Sequence, residues 1–384
     1  MANQYLFTDE QKDLQLMVRD FVNKEIIPHA AEWDVKGEFP QDTFRKACDM
    51  GLHLMGIPEE FGGMGLDQTT SCILREELGR GDAGFAVSLG ANMLGYTPLS
   101  IAGTKEQIKH FADIVVPGAV SAFCLTEAQG GSDAGNSKTT AVKVGDEYVI
   151  NGVKTFITNG GIASVYTVFA MTDKEKGVKG MSAFLVERDR PGVSVGAEEN
   201  KMGIRASNTT EVVFEDVHVP ADHLIGKEGD GFKIAMKTLD RTRPSGSATA
   251  VGICQRAIDE CVKYAKERVV FGKPIAKHQA VAFMLADMEI QTQAARQMVM
   301  HAARLMDNGI YDSVVAAAAK TFTGDTAMKV TTDAVQVLGG FGYSREYNME
   351  KLYRDAKIFQ IFEGTNQIQR VVIANALKKE YPVA

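Results

Sequence analysis

The chain has 384 residues, 45% hydrophobic and 24% charged, which excludes a disordered, collagen-like or disulfide-stapled mini-protein. Lys and Arg number 42 against 49 Asp and Glu, a net charge of −7, which is a poor balance for gripping phosphates, so no nucleic-acid partner is expected. No apolar run approaches the ~18 residues of a membrane helix, and no membrane insertion is expected.

The start, MANQYLFTDEQKDL, has neither the basic nor the apolar stretch of a leader; the expected location is cytoplasmic. Five scattered cysteines (Cys48, Cys72, Cys124, Cys254, Cys261) form no Cys-x-x-Cys and fit buried thiols in a reducing compartment. From Thr8 to about Phe111 the apolar spacing is helical. Leu14, Met17, Val18, Phe21 and Val22 form one stripe, and Thr8 with Gln11 reads as a capping box. From about Ala119 to Pro220 the period falls to two. AVKVGDEYVI at 141–150 reads as a hairpin around Gly145-Asp146, and 165–170, 182–186 and 211–219 read as strands. From Gly231 onward, Ala- and Met-rich stretches such as 280–306 and 311–338 read as a helix bundle. The expected fold class is α+β: an N-terminal helical domain (1–118), a central antiparallel β-domain (119–230) and a C-terminal helix bundle (231–384). A continuous β block argues against a doubly wound sheet.

GRGDAG at 79–84 matches a dinucleotide fingerprint formally, but the run before it reads as helix, so a helix-to-helix turn is expected. No P-loop, HExxH, Cys/His cluster or GxSxG occurs, and no metal site is expected. Three small-residue clusters remain: TEAQGGSD (126–133), KTFITNGG (154–161) and VLGGFGY (337–343). Glycine pairs let backbone approach a ligand, although spacing alone favours turn chemistry. In IFQIFEGTNQIQR (358–370) a carboxylate, Glu363, sits among Ile358, Phe359, Ile361 and Phe362. Most glutamates are solvated. An apolar setting would raise this one's pKa, as a base acting on a weak acid requires.

These motifs, together with ERVVFGKP (267–274) and DRTRP (240–244), resemble the acyl-CoA dehydrogenase family, more narrowly its short- and medium-chain, butyryl-CoA dehydrogenase-like members. The likeness runs essentially end to end. It implies an FAD enzyme forming an α,β double bond in an acyl-CoA thioester and passing electrons to an electron-transfer flavoprotein. The same site run in reverse would make a 2-enoyl-CoA reductase (crotonyl-, acrylyl- or caffeyl-CoA type) working with a bifurcating electron-transfer flavoprotein. An oxidase donating to oxygen is disfavoured by the shorter chain, and a non-enzymatic scaffold by the retained motifs.

By the same resemblance Glu363 is the catalytic base. Phe123, Leu125 and Thr126 line the isoalloxazine, with Phe156 and Thr158 against its other side. Arg268 and Phe271, with Gln279 nearby, reach the FAD of a neighbouring subunit. Gln336, Gly339 and Gly340 meet the adenosine part of FAD, and Thr365 and Gln367 hold the pyrophosphate. Ser132, Asp240 and Arg243 hold CoA. A shared cofactor site implies a homo-oligomer, a dimer of dimers. The sequence departs from the family pattern at Ala128, Phe156 and Phe362, and Gly90 stands where some medium-chain members have Glu. Thr242 occupies the place of an alternative base, which supports Glu363. The acyl tail is expected near 85–103; that segment has no charged residue, so an uncharged acyl group is expected.

Overall fold

A computed structural model describes residues 7–381. Helix α1 (Asp9–Phe21) starts at the expected capping box: Thr8 Oγ1 accepts from Gln11 N–H and Gln11 Oε1 from Thr8 N–H, both at 3.1 Å. A single π turn (Val22–Ile26) and helices α2 (Ala30–Lys36), α3 (Gln41–Asp49), α4 (Gln68–Gly81), α5 (Ala83–Ala102) and α6 (Lys105–Val115) follow. Val18, Phe21 and Val22 pack with Ile73, Leu74, Leu78 and Phe85. Met17 departs from the expected stripe and is exposed. Gln15 is buried in its stead, because its amide donates to Glu77 Oε1 (2.9 Å) and Arg19 Nε to Glu77 Oε2 (3.1 Å). This polar contact turns the buried arc of α1 towards α4. The GRGDAG segment is the expected turn between two helices, α4 and α5, with Asp82 capping the Phe85 N–H.

The middle region is one sheet of β1 (Ser121–Cys124), β2 (Thr140–Val144), β3 (Glu147–Thr158), β4 (Val165–Met171), β5 (Met181–Glu187), β6 (Val193–Glu198), β7 (Thr209–Pro220) and β8 (Leu224–Ile225). Its order is β6-β7-β3-β2-β4-β5-β8, with β1 beside β4. The β2–β3 hairpin turns at Gly145-Asp146 as expected. The expectation of an antiparallel domain needs one correction. Strand β1 runs parallel to β4, and β2 touches β4 through one parallel bridge. Strand β1 leaves through a long loop (125–139) rather than a hairpin, so it is free to pair in parallel. Strand β4 is buried along its whole length. Alternate residues feed two cores: Val165, Phe169 and Met171 meet Tyr96, Phe111 and Ile234 on the helical side, while Tyr166, Val168 and Ala170 meet Ile150, Phe214 and Val217 on the other.

Helix α7 (Gly231–Glu267) begins the last region, followed by a small hairpin of β9 (Val269–Val270) and β10 (Lys273–Pro274). Helices α8 (Gln279–Asp307), α9 (Ser313–Leu338), α10 (Gly340–Tyr343), α11 (Met349–Ala356) and α12 (Asn366–Glu380) complete it. Helix α7 packs on α4 and α5 as well as on α8 and α9. The α4–α7 approach needs two glycines: a Cβ at Gly79 would lie 2.3 Å from Thr249 O, and one at Gly252 2.1 Å from Glu76 O. The two helical zones therefore meet backbone to backbone. All five cysteines are free and buried. No helix among the described residues is long and apolar enough to cross a membrane.

Two buried ionic clusters fix how the parts meet. Lys351 Nζ of α11 lies 2.6 Å from both Asp82 Oδ2 and Asp355 Oδ2, and Asp355 Oδ1 accepts from Ile204 N–H at 2.6 Å. Burial opposes the Lys351 charge, but the two carboxylates outweigh it and hold the ammonium above the usual lysine range. Within the sheet region, fully buried Lys154 Nζ bonds Glu127 Oε1 (2.6 Å) and Leu125 O (3.2 Å). Ser137 Oγ and the N–H groups of Lys138 and Thr139 also donate to Glu127. The 125–139 loop is thus tied to β3.

Lys351→Met strands two buried carboxylates and is expected to cost about 3–5 kcal/mol, read from urea unfolding midpoints; a loss below about 0.5 kcal/mol would place the triad among ordinary surface substitutions. Burial pushes Glu127 up, but Lys154 and the donors outweigh it and hold its carboxyl at about 2, below the ordinary 4.5. A depressed folded pKa contributes stability above the ordinary value, and that stability is lost as pH falls from 4.5 towards 2. The wild-type stability–pH curve should therefore fall more steeply across that window than the curve of Glu127→Gln.

Candidate active site

The three regions enclose a cavity of about 320 Å³. Helix α5 contributes Val87, Gly90, Ala91, Met93 and Leu94, and the sheet side contributes Phe123, Leu125, Thr126, Phe156 and Thr158. Thr242, Arg243 and Gly246 of α7 and the segment Phe362–Gly364 close the opposite side, and Ser132 stands exposed at its rim.

Glu363 sits in the link between a short 3₁₀ turn (Lys357–Gln360) and α12. Its φ is +54°, and Gly364 follows at +85°. A non-glycine residue in this left-handed region costs of order 1–2 kcal/mol; the surroundings hold it there. Arg243 Nε and Gln369 Nε2 donate to Glu363 O at 3.3 and 3.2 Å, and Lys320 Nζ donates to Gly364 O at 2.8 Å. The carboxylate accepts from Thr242 Oγ1 at 3.4 Å. Gly246 makes room for it, since a Cβ there would lie 3.1 Å from Glu363 Oε1. Burial raises the Glu363 pKa, against the pull of Arg243, Lys320 and Arg75. Burial also brings Lys320 down to about 8. A recessed carboxyl raised in this way is suited to taking a proton from carbon.

Phe156 owes its position to a break in the β3–β7 register between Lys154 and Ile157. The residue adopts φ +55° and its ring stands 65% exposed, as bulges beside active sites re-aim side chains. Thr155 N–H donates to Thr126 O at 2.9 Å, which joins the two clusters KTFITNGG and TEAQGGSD. Thr155 Oγ1 is buried there without a partner. An apolar platform with an unpartnered hydroxyl at Thr155 and an exposed ring at Phe156 fits a large planar heterocycle.

The structure does not bring every expected site residue to this cavity. Arg268, Gly339 and Gly340 line a separate open cleft of about 720 Å³, where the Arg268 guanidinium lies 5.6 Å from the Phe341 ring centre. Gly339 ends α9 and Gly340 opens one helical turn. Phe271, at the tip of the β9–β10 hairpin, is 92% exposed. Gln279 and Gln336 are exposed at the start of α8 and near the end of α9. Thr365 caps α12, accepting from Ile368 N–H, and Gln367 is exposed on its first turn. Asp240 lies outside the cavity wall, ion-paired to Arg243 and accepting from Ser313 Oγ at 2.5 Å.

Arg75 of α4 was not singled out from the sequence, yet it lines the cavity; a lone cation within SCILREEL was its only signal. Elsewhere, His110, Glu187 and His223 bring ligand atoms within 4.8 Å. That set is hydrogen-bonded internally, with Glu187 engaged by His110 (2.6 Å) and Arg190, and His223 by Leu185 O.

Family models for the acyl-CoA dehydrogenase N-terminal, middle and C-terminal domains match residues 8–118, 122–217 and 229–378. The chain is 45% identical over 371 residues to probable acyl-CoA dehydrogenase FadE25 of Mycobacterium tuberculosis, covering 96% of this chain and 95% of that one. It superposes on butyryl-CoA dehydrogenase of Megasphaera elsdenii with a TM-score of 0.94 at 44% identity, over 97% of this chain and 98% of that one. A chain solved in work on the electron transferring flavoprotein of Acidaminococcus fermentans and flavin-based electron bifurcation gives a TM-score of 0.95 at 46% identity, over 97% and 99%. The platform facing a recessed carboxyl and the match across all three domains have one reading: the chain belongs to the acyl-CoA dehydrogenase family, FAD-dependent oxidoreductases that act on acyl-CoA thioesters.

Proposed function

We propose that the cavity dehydrogenates a short- or medium-chain acyl-CoA to its trans-2-enoyl-CoA, with electrons passed to an electron-transfer flavoprotein. The observation that carries this reading is the recessed Glu363 carboxyl, held on a left-handed backbone in the wall of the same cavity that Leu125, Thr126 and Thr158 line. When bound there, FAD supplies acceptance of the β-hydrogen as hydride. Phe123, Leu125, Thr126, Phe156 and Thr158 would hold its ring system. Glu363 removes the α-proton, and negative charge develops on the thioester oxygen. The N–H groups of Ile361 and Phe362 both bond Ile358 O, whereas that of Glu363 joins no such turn. This N–H is the donor for the developing enolate, an interaction of a kind typically worth about 2.7–4 kcal/mol of barrier. Ser132 at the rim and Arg243 in the wall would hold the CoA portion, with Asp240 orienting Arg243.

None of Arg268, Phe271, Gln279, Gln336, Gly339 and Gly340 lines the Glu363 cavity; Arg268, Gly339 and Gly340 line the second cleft, and Phe271 tips the exposed hairpin that follows Arg268. That separation supports their service to the FAD of another subunit, in a dimer of dimers. Thr365 and Gln367, at the start of α12, would meet the pyrophosphate.

A second reading, reduction of a 2-enoyl-CoA with a bifurcating electron-transfer flavoprotein, is favoured by the similarity to the chain from the Acidaminococcus fermentans work. Glu363 then returns a proton to the α-carbon. Turnover of saturated and unsaturated thioesters, each with the cognate partner, separates the two directions.

Glu363→Gln should slow flavin bleaching by butyryl-CoA about 10²–10⁴-fold while FAD stays bound; near-normal bleaching would refute the base assignment. Because burial raises the Glu363 pKa and the base works deprotonated, bleaching should slow as pH falls through a value above 4.5. Arg268→Ala should lower FAD occupancy after gel filtration, and unchanged occupancy would count against a shared cofactor site.

A further inference from the structure

Among the described residues, Arg75 is the one cavity-lining cation without a hydrogen-bond or salt-bridge partner. The residue is 7% exposed, its Nε has no hydrogen-bond partner, and no carboxylate among the described residues makes a salt bridge or hydrogen bond to it; Glu363 acts on it only through space. Its acidic neighbours on α4 are committed elsewhere: Glu76 to Arg296 at 2.8 Å and Glu77 to Arg19. The other cavity charges are also placed. Arg243 is paired with Asp240, Glu363 accepts from Thr242, and Asp133 is exposed at the rim. A guanidinium with five donors does not stay buried without an acceptor at low cost.

The guanidinium has a seat. It lies against α5 at Gly90, where a Cβ would come 1.8 Å from Nη1 and 2.1 Å from Nη2. Gly90 and Arg75 both line the cavity that holds Glu363, and the α5 wall beside them is apolar: Val87, Ala91, Met93 and Leu94. Arg75 is brought to about 10 by burial and so remains charged at neutral pH. The expectation of an uncharged acyl group rested on 85–103 alone; α4 supplies the cation which that segment lacks.

We propose that Arg75 receives a carboxylate at the far end of the acyl chain, making ω-carboxyacyl-CoAs, the monothioesters of dicarboxylic acids, the substrate class of this site. The proposal rests on the dehydrogenase reading above: with the α-carbon at Glu363, the acyl chain runs along the apolar α5 wall to the Gly90–Arg75 seat. A planar fork suits bidentate capture of a carboxylate.

The test compares glutaryl-, adipyl- and pimelyl-CoA with valeryl-, hexanoyl- and heptanoyl-CoA, scored by bleaching of the FAD-loaded enzyme. The matching 2-enoyl thioesters are scored by recolouring of the dithionite-reduced enzyme. At one chain length or more, the ω-carboxylate should exceed its neutral counterpart in kcat/KM by about 10²-fold. Arg75→Met should reverse that ratio. Should Arg75→Met fail to retain FAD, Arg75→Lys carries the comparison, with an expected drop in the ratio of about tenfold. If neutral thioesters react and no ω-carboxylate does, the dehydrogenase reading stands and the Arg75 proposal falls. If Arg75→Met moves the pH profile for every thioester but leaves the ratio unchanged, Arg75 acts only on Glu363 and the proposal is overturned. If no thioester of either kind changes the flavin in either direction, the dehydrogenase reading itself fails and the proposal with it.

Discussion

One ammonium group sets the relation of the three regions. Lys351 projects from α11 between Asp82, which caps α5, and Asp355, whose second oxygen takes the Ile204 N–H. Helix α5 is a wall of the cavity, Ile204 lies just ahead of β7, and α11 leads through a short 3₁₀ turn to Glu363. Two carboxylates around one cation leave an excess negative charge in a dry place, and burial accordingly raises Asp355. Such a cluster is a weak source of net stability, but its geometry is demanding. It ties the wall, the platform and the base to one point.

The same logic operates at smaller scale inside the cavity. The left-handed turn at Glu363 would relax if its carbonyls were free, and Arg243, Gln369 and Lys320 hold them. Positive charges near a carboxylate normally make it a weaker base. Here two of the three cations that pull on it, Arg243 and Lys320, are spent on backbone oxygens rather than on the carboxyl, and Thr242 is its one side-chain hydrogen-bond partner among the described residues. Burial therefore prevails over attraction, and the group keeps the proton affinity that carbon acidity demands. Across the cavity, Lys154 and Glu127 do the equivalent task for the platform, spending a buried ion pair on loop position.

The legible parts of the sequence were those in which local chemistry decides the outcome. The Thr8–Gln11 box, the Gly145-Asp146 hairpin and the α4–α5 turn each depend on residues a few positions apart. Glu363 was legible because a carboxylate in an apolar run before Gly-Thr-Asn is unusual, and because the surrounding motif is specific. The less legible parts were long-range. Parallel pairing of β1 depends on a strand more than 40 positions away. Met17 yielded its buried place to Gln15 because Glu77 lies across the helix pair. Arg75 was invisible because its meaning comes from Gly90 on the next helix, and a glycine announces nothing about what fills the space it leaves.

That glycine bears on how the ancestry of such chains is compared. Growth of a side chain at 90 would push the guanidinium off its seat without any change at 75, whereas shortening of 75 leaves 90 untouched. The two positions form a single character written in two places. An alignment that scores arginine at 75 without its partner would group chains whose buried charge points in different directions.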